Sequence, residues 1–284
     1  AWTGVQTCAL PISHRASLPA MVFYGWTGVN MFFALSGYLF MWLYADEIIN
    51  NSFSWSSYLW RRLIRVYPLT LLVIGIAVAS QWGQHSLANI LLHVSLLHAW
   101  FPAYRVKIDS PLWTLTLESN YYLVAPFLIR WFAATPNNTS RIITRFTILL
   151  SASMLATAAY IWLLSAVGGI QDSEAWTFTI LGRMSDFGAG MLLAAIARVY
   201  MPKAKYAGDA LVILGGVLYV VCIQLIIAHG GPDLAGPYLF GTVGFRGLAV
   251  SAAIMMYGLH IGGVLSRALS SPLAVLLGEC SFAL

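Results

Sequence analysis

Glu118 is a lone carboxylate inside the long apolar run PLWTLTLESNYYLVAPFL, residues 111–128. Three more ionisable residues interrupt apolar runs further along the chain. Arg183 and Asp186 stand three apart, hence on one helical face, and Arg246 follows later. Each would cost about 2.5–3.5 kcal/mol at a lipid-facing helix centre, so such groups normally face the interior of a bundle and pair there. Two readings follow. In one, Arg183–Asp186 is a structural pair and Glu118 pairs with Arg246 to hold helices together. In the other, the four line a polar cavity. A second pattern, RRLIRVYP, sets Arg61, Arg62 and Arg65 at i, i+1 and i+4. Guanidinium groups are planar bidentate forks suited to phosphate, although a basic cluster beside an apolar run also serves as a plain membrane anchor.

The elements that must position these residues follow from composition. Sixty per cent of the 284 residues are hydrophobic and 9% are charged, with a mean hydropathy of +0.77. Soluble domains carry about 25% charged residues, so the chain reads as an all-α, polytopic transmembrane helical bundle. The roughly ten-residue period-two segments of a membrane β-barrel are absent from the sequence. The net charge of +5 sits in short loops between apolar runs and gives no reason to expect nucleic acid. Cys8, Cys222 and Cys280 are too scattered for a metal site or disulfide framework, and no metal is expected.

Membrane helices of about 20 residues are expected at 26–45, 66–82, 112–132, 142–167, 176–201, 210–228 and 239–265, with a further one starting near residue 272. Residues 3–12, TGVQTCALPI, match the translation of a sequencing adapter. We therefore set residues 1–12 aside and read 13–284 as a fragment of one membrane domain, truncated at both ends. Basic residues mark the cytoplasmic side. Arg61, Arg62 and Arg65, then Arg130, Arg141 and Arg145, then Arg198, Lys203 and Lys205, and finally Arg267 fall together if residues 86–101 do not cross. The resulting depth map places Glu118 about 9 Å below the outer surface. Arg183, Asp186 and Arg246 lie in the same layer, and the arginine triplet lies at the opposite face. His93 and His98, five apart, do not share a helical face and are expected at the interface.

Three stretches, taken in order, resemble the acyltransferase 3 family of bacterial membrane acyltransferases: GVNMFFALSGYLF, RRLIRVYP and PLWTLTLESNYYLVAPF. RMSDFGAGMLLA (183–194) and LGECSFAL (277–284) look like later stretches of the same family, so the likeness runs from about residue 14 to the end. The resemblance implies a fold of about ten membrane helices. The seven complete helices here, with the truncated ends, accord with that number.

The resemblance further implies transfer of an acyl group, most often acetyl, from cytoplasmic acyl-CoA to a hydroxyl. The acceptor would be an extracytoplasmic glycan or other hydroxyl compound, and the setting the bacterial cytoplasmic membrane and its lipid. Acyl-CoA would be a substrate, with no bound cofactor. His14 falls where the family carries a histidine. The family's arginine eleven positions earlier falls at Thr3, so this fragment itself is expected to be inactive. Imidazole suits removal of a hydroxyl proton near neutral pH. Glu118 would orient that ring or take the proton itself, while Arg61, Arg62 and Arg65 would hold the phosphates of acyl-CoA. The principal rival is a transporter for a polar solute, since intramembrane charges also mark substrate pathways.

Overall fold

A computed structural model describes residues 27–81, 83–108, 112–133, 138–168, 175–204, 206–228, 239–272 and 274–276. Every regular element among them is helical. In chain order they are α1 (Gly28–Ile49), α2 (Trp55–Ser80), α3 (Leu87–Val94), a 3-10 turn (His98–Trp100), α4 (Trp113–Ala133) and α5 (Thr139–Gly168). There follow α6 (Ala175–Phe178), α7 (Ile180–Val199), α8 (Ala207–Ala228), α9 (Leu239–Ile261) and α10 (Val264–Leu269).

Among the described residues, α1, α2, α5, α7 and the first 20 residues of α8 are long and apolar enough to cross a bilayer. The chain is a polytopic helical bundle. Its helices divide by burial. Only 11% of the apolar window of α5, and 17% of those of α2 and α8, is buried, against 78% for α7. Among the described residues the first three therefore leave broad apolar faces uncovered, whereas α7 is mostly buried. The 21 residues of α4 span about 31 Å. One of its faces, including Thr116, Tyr121, Tyr122 and Ala125, is buried against protein.

Several boundaries differ from the sequence expectation. Helix α2 begins at Trp55, not near 66, so all three arginines lie within a helix and not in a loop. Arginine is a good helix former and its long stem covers apolar surface, so the basic cluster does not interrupt the helix. Arg141 and Arg145 likewise fall inside α5. Near the end of the chain the single helix expected over 239–265 is broken at Gly262, whose φ of 92° is a left-handed value that glycine supports. Asp209 of α8 then accepts the backbone N–H groups of Val264 and Leu265 at 3.0 and 2.9 Å, which starts α10. The short α3, eight residues or about 12 Å, cannot cross.

The chain forms two compact units. The first draws on Ala1–Val29, Tyr44–Ala134 and Thr147–Ser185. Here Ile74 of α2 is buried with Ile108 and Leu112, and Val73, Ala77, Ile90 and Val94 pack against them. Helix α3, Ile108 and the start of α4 thus lie against the later half of α2. Tyr160 of α5 donates to the Trp100 carbonyl, and Ser153 of α5 donates to the Leu181 carbonyl.

The second unit draws on Asn30–Leu43, Thr135–Phe146 and Asp186–Leu284. Its helices meet through small residues, as membrane helices do when backbones approach closely. A Cβ on Gly37 would stand 2.0 Å from the Phe187 carbonyl oxygen, and one on Gly190 would stand 1.8 Å from that of Ala34. Ala189, Ala249 and Ala253 extend this small-residue packing to α9. Gly258 packs closely on Gly208 of α8.

Candidate functional site

In the first unit, proline chemistry locks two helices together. Pro126 lies inside α4 and has no N–H to give to the carbonyl of residue 122, one turn back. The phenol of Tyr58, on α2, supplies the missing donor at 2.9 Å. Trp55 packs against Phe127 at 5.3 Å between ring centroids. Residues 55 and 58 of α2 thus meet 127 and 122 of α4, which sets the two helices antiparallel.

One turn further along α2, this pairing delivers Arg62 to a cage of three tyrosines. Its guanidinium carbon stands 5.5, 5.7 and 5.3 Å from the ring centroids of Tyr44, Tyr58 and Tyr122. Its Nη2 also donates to the Tyr44 hydroxyl at 2.8 Å. Tyr44 and Tyr58 meet edge to face at 5.2 Å, which fixes the walls of the cage. Cation–π attraction to each ring reinforces the placement. The Tyr122 hydroxyl donates a hydrogen bond to Glu118 Oε1, one turn back on α4. The charges of Arg65 and Arg62 both act on that carboxylate.

The site is therefore one carboxylate, one phenol and two guanidinium groups on facing helices. The arginine triplet splits. Arg62 and Arg65, three apart, share the face toward α4, while Arg61 is exposed on another. Arg65 is also exposed.

This arrangement corrects the depth map. The carboxylate and the arginines, assigned to opposite faces of the membrane, belong to one site. Arg62 lies about 10 Å along α2 from Trp55 and about 27 Å from Ser80 at 1.5 Å per residue. Glu118 shares its level through Tyr122. It is far from the Ser80 end of α2 because α4 starts part-way along α2: Ile108, Leu112 and residues of α3 pack against Ile74 and its neighbours on the later turns of α2.

Arg183 is buried in the first unit. Its Nε donates to the Thr177 carbonyl at 2.9 Å, and its guanidinium lies over the Trp113 ring, 5.8 Å from the centroid. Its own carbonyl accepts from the Tyr121 hydroxyl at 2.8 Å. Trp113 is thus the platform for a buried cation. Asp186 belongs to the second unit, where it is buried and accepts from the buried Asn30 amide at 3.0 Å. Arg246 is half-buried on α9 in the same unit. His14 lies outside the described residues.

His93 and His98, which a continuous helix would keep on different faces, come together. Both are fully buried, their rings stacked 3.9 Å apart and 5° from parallel. The irregular turn between α3 and the 3-10 turn, with Leu96 at a φ of 54°, brings together two residues that a continuous helix would hold apart. Burial, with His93 alongside, pushes the His98 imidazole down to about 3.

The tyrosines escaped the sequence reading although their spacing carries a signal. Tyr58 and Arg62, and Glu118 and Tyr122, are both i, i+4 pairs on helical faces. Chemically, a carboxylate bonded to a phenol beside two guanidinium groups can exchange a proton and hold an anion such as a phosphate. A family model described as an acyltransferase domain matches residues 9–284. No curated protein and no solved structure matches the chain.

Proposed function

Since the chain belongs to the acyltransferase 3 family, we propose that it moves an acyl group, acetyl foremost, from cytoplasmic acyl-CoA to a hydroxyl of an extracytoplasmic glycan or small molecule. The bacterial cytoplasmic membrane is the proposed setting. The observation that carries this reading is the joining of Glu118 to Arg62 through Tyr122, with the charge of Arg65 also acting on the carboxylate.

In this reading the acceptor oxygen attacks the thioester carbonyl carbon. A C–O bond forms, the C–S bond breaks, and the CoA sulfur leaves as thiolate and takes up a proton. The hydroxyl proton passes to a base, His14 in the first instance, with Glu118 orienting and stabilising the imidazolium. Tyr122 holds the Glu118 carboxylate in one rotamer through its hydrogen bond. The exposed Arg65, beside the caged Arg62, offers a fork to the phosphates of the donor. Arg61, on another face, serves as an anchor. A carboxylate inside the bundle suits a reaction whose donor and acceptor come from opposite sides, because each must reach only part of the way.

The test is transfer from labelled acetyl-CoA to surface glycans in membranes carrying the full protein, its His14→Ala variant or its Glu118→Gln variant. Transfer lost in both variants at unchanged membrane level supports the assignment. Transfer unchanged in His14→Ala moves the base role to Glu118. Uptake of a polar solute without consumption of acyl-CoA would replace acyl transfer by transport.

A further inference from the structure

The Trp55 end of α2 carries a second feature, which the chemistry at Glu118 leaves unused. Asn51, Phe53, Trp55, Phe127 and Arg130 line a cavity of ≈ 190 Å³ between the α1–α2 connection and the last turns of α4, within the first unit. Three aromatic rings form its wall. Trp55 lies 5.3 Å from Phe127 and 5.4 Å from Phe53 between ring centroids. Among the described residues the lining carries one guanidinium and one amide, and no carboxylate. The volume is that of about six waters at about 30 Å³ each. It falls below the roughly 300–1,000 Å³ of a site for a whole ligand, and is the scale of one flat group of a larger molecule.

The cavity adjoins the tyrosine cage. The Phe53 ring lies 6.1 Å from Tyr44 and 5.2 Å from Tyr58, two of the three rings around Arg62. Arg130 is about 18 Å along α4 from Glu118 at 1.5 Å per residue. The pantetheine arm of CoA has about twelve bonds from phosphate oxygen to sulfur, as many as about four residues of extended chain, so it reaches about 14 Å. That arm and a diphosphate fill the interval, with Arg62 and Arg65 on its α2 side. A donor whose base occupies the cavity therefore brings its thioester to the carboxylate. A phospholipid held at the same place brings no thioester.

The lining chemistry agrees. Aromatic faces stack on any nucleobase, an asparagine amide pairs with the N6/N7 edge of adenine, and an arginine fork takes a phosphate through two hydrogen bonds. We propose that this cavity is the base site for the donor, in which adenine stacks on Trp55 and Phe127 and Arg130 meets the ribose 3′-phosphate. That the nucleotide is part of acyl-CoA rests on the acyl-transfer reading. That the cavity binds an adenine nucleotide does not.

The experiment measures equilibrium binding of adenosine 3′,5′-bisphosphate, the nucleotide end of CoA without its arm, to the full protein in phosphatidylcholine nanodiscs. Wild type is compared with Phe127→Ala and Arg130→Gln, both changes at exposed side chains that empty no core. In parallel, KM is compared for acetyl-CoA and for acetyl-pantetheine, which lacks the base. We expect nucleotide binding that weakens about tenfold in each variant, the worth of about one base stack or one charge-assisted hydrogen bond. The KM for acetyl-CoA should rise by the same factor, and that for acetyl-pantetheine should not follow it. No nucleotide binding in wild type, equal affinity in wild type and both variants, or equal rises in KM for both donors overturns the proposal. Trp and Arg also gather at membrane interfaces, so native mass spectrometry from nanodiscs containing phosphatidylglycerol supplies the lipid arm. Lipid retained by wild type and lost in Arg130→Gln, with no nucleotide bound, assigns the cavity to a headgroup and overturns the base site. Nucleotide binding in a protein that consumes no acetyl-CoA leaves the base site standing and removes the acyl-transfer reading. Consumption of acetyl-CoA with the same KM in wild type and both variants does the reverse.

Discussion

Tyr58 donates its phenolic hydrogen to the carbonyl of Tyr122 at 2.9 Å, at the place where Pro126 has removed the helical donor. The bond ties α2 to α4 and sets the level at which Arg62 meets Glu118. Tyr58→Phe should therefore lower stability by about 1–3 kcal/mol, the cost of an unmet buried acceptor. Pro126→Ala restores an N–H to that carbonyl, so in a double-mutant cycle the loss should shrink. Equal losses with and without Pro126, measured by thermal or denaturant unfolding in detergent, would refute the arrangement.

Glu118→Gln keeps the shape of the site and removes its negative charge. Transfer should fall by about 10²–10⁴-fold, the usual worth of positioned acid–base chemistry, with the protein still inserted at wild-type level. Tyr122→Phe should produce a smaller fall, since it frees the carboxylate without deleting it.

The arginines should differ in a graded way. Arg62→Lys loses the planar contact with three rings and the bond to Tyr44. It should raise the KM for acyl-CoA by about tenfold or more, the equivalent of one charge-assisted hydrogen bond. Arg61→Ala, on another face, should leave that KM within about twofold. A steady-state comparison of the two separates phosphate binding from membrane anchoring.

Gly190 and Gly37 are crossing points at which a methyl group has no room. A Cβ at Gly190 would stand 1.8 Å from a backbone oxygen that cannot move without its helix. Gly190→Ala should cost about 1–3 kcal/mol, the range for overpacking. Gly28→Ala, whose Cβ would meet nothing within 4 Å among the described residues, should be silent. Yield and melting temperature of the two purified variants test this directly.

The stacked His93–His98 pair predicts acid sensitivity. His98 is held neutral in the folded protein down to about 3. The unfolded chain takes up a proton near 6.5. Below about 6.5 the unfolded state binds more protons, so stability falls as pH drops from about 6.5 to about 3 and is constant above. The fall should be shallower in His98→Gln, read as melting temperature against pH. The same slope in wild type and variant would show that other groups carry the acid response.

Composition and hydropathy were enough to establish a polytopic helical bundle, because 9% charged residues cannot cover a soluble fold of this length. Helix positions were legible from the roughly 20-residue apolar runs, and the three quoted motifs pointed to the family that the domain match shows. Glu118, Arg62 and Arg65 stood out individually, since ionisable residues in or beside apolar runs are rare and costly. Depth was not legible. Counting residues from the start of a helix assumes that the helix starts at the membrane surface. The packing of Ile108 and Leu112 on Ile74 breaks that assumption for α4. Nor could helical spacing place His93 on His98, because an irregular turn with Leu96 in a left-handed conformation lies between them. What the sequence by itself determined was which groups are expensive to bury. Tertiary structure decided which of them share the expense, because the pairing of Tyr58 with a carbonyl freed by Pro126 depends on two helices meeting at one register.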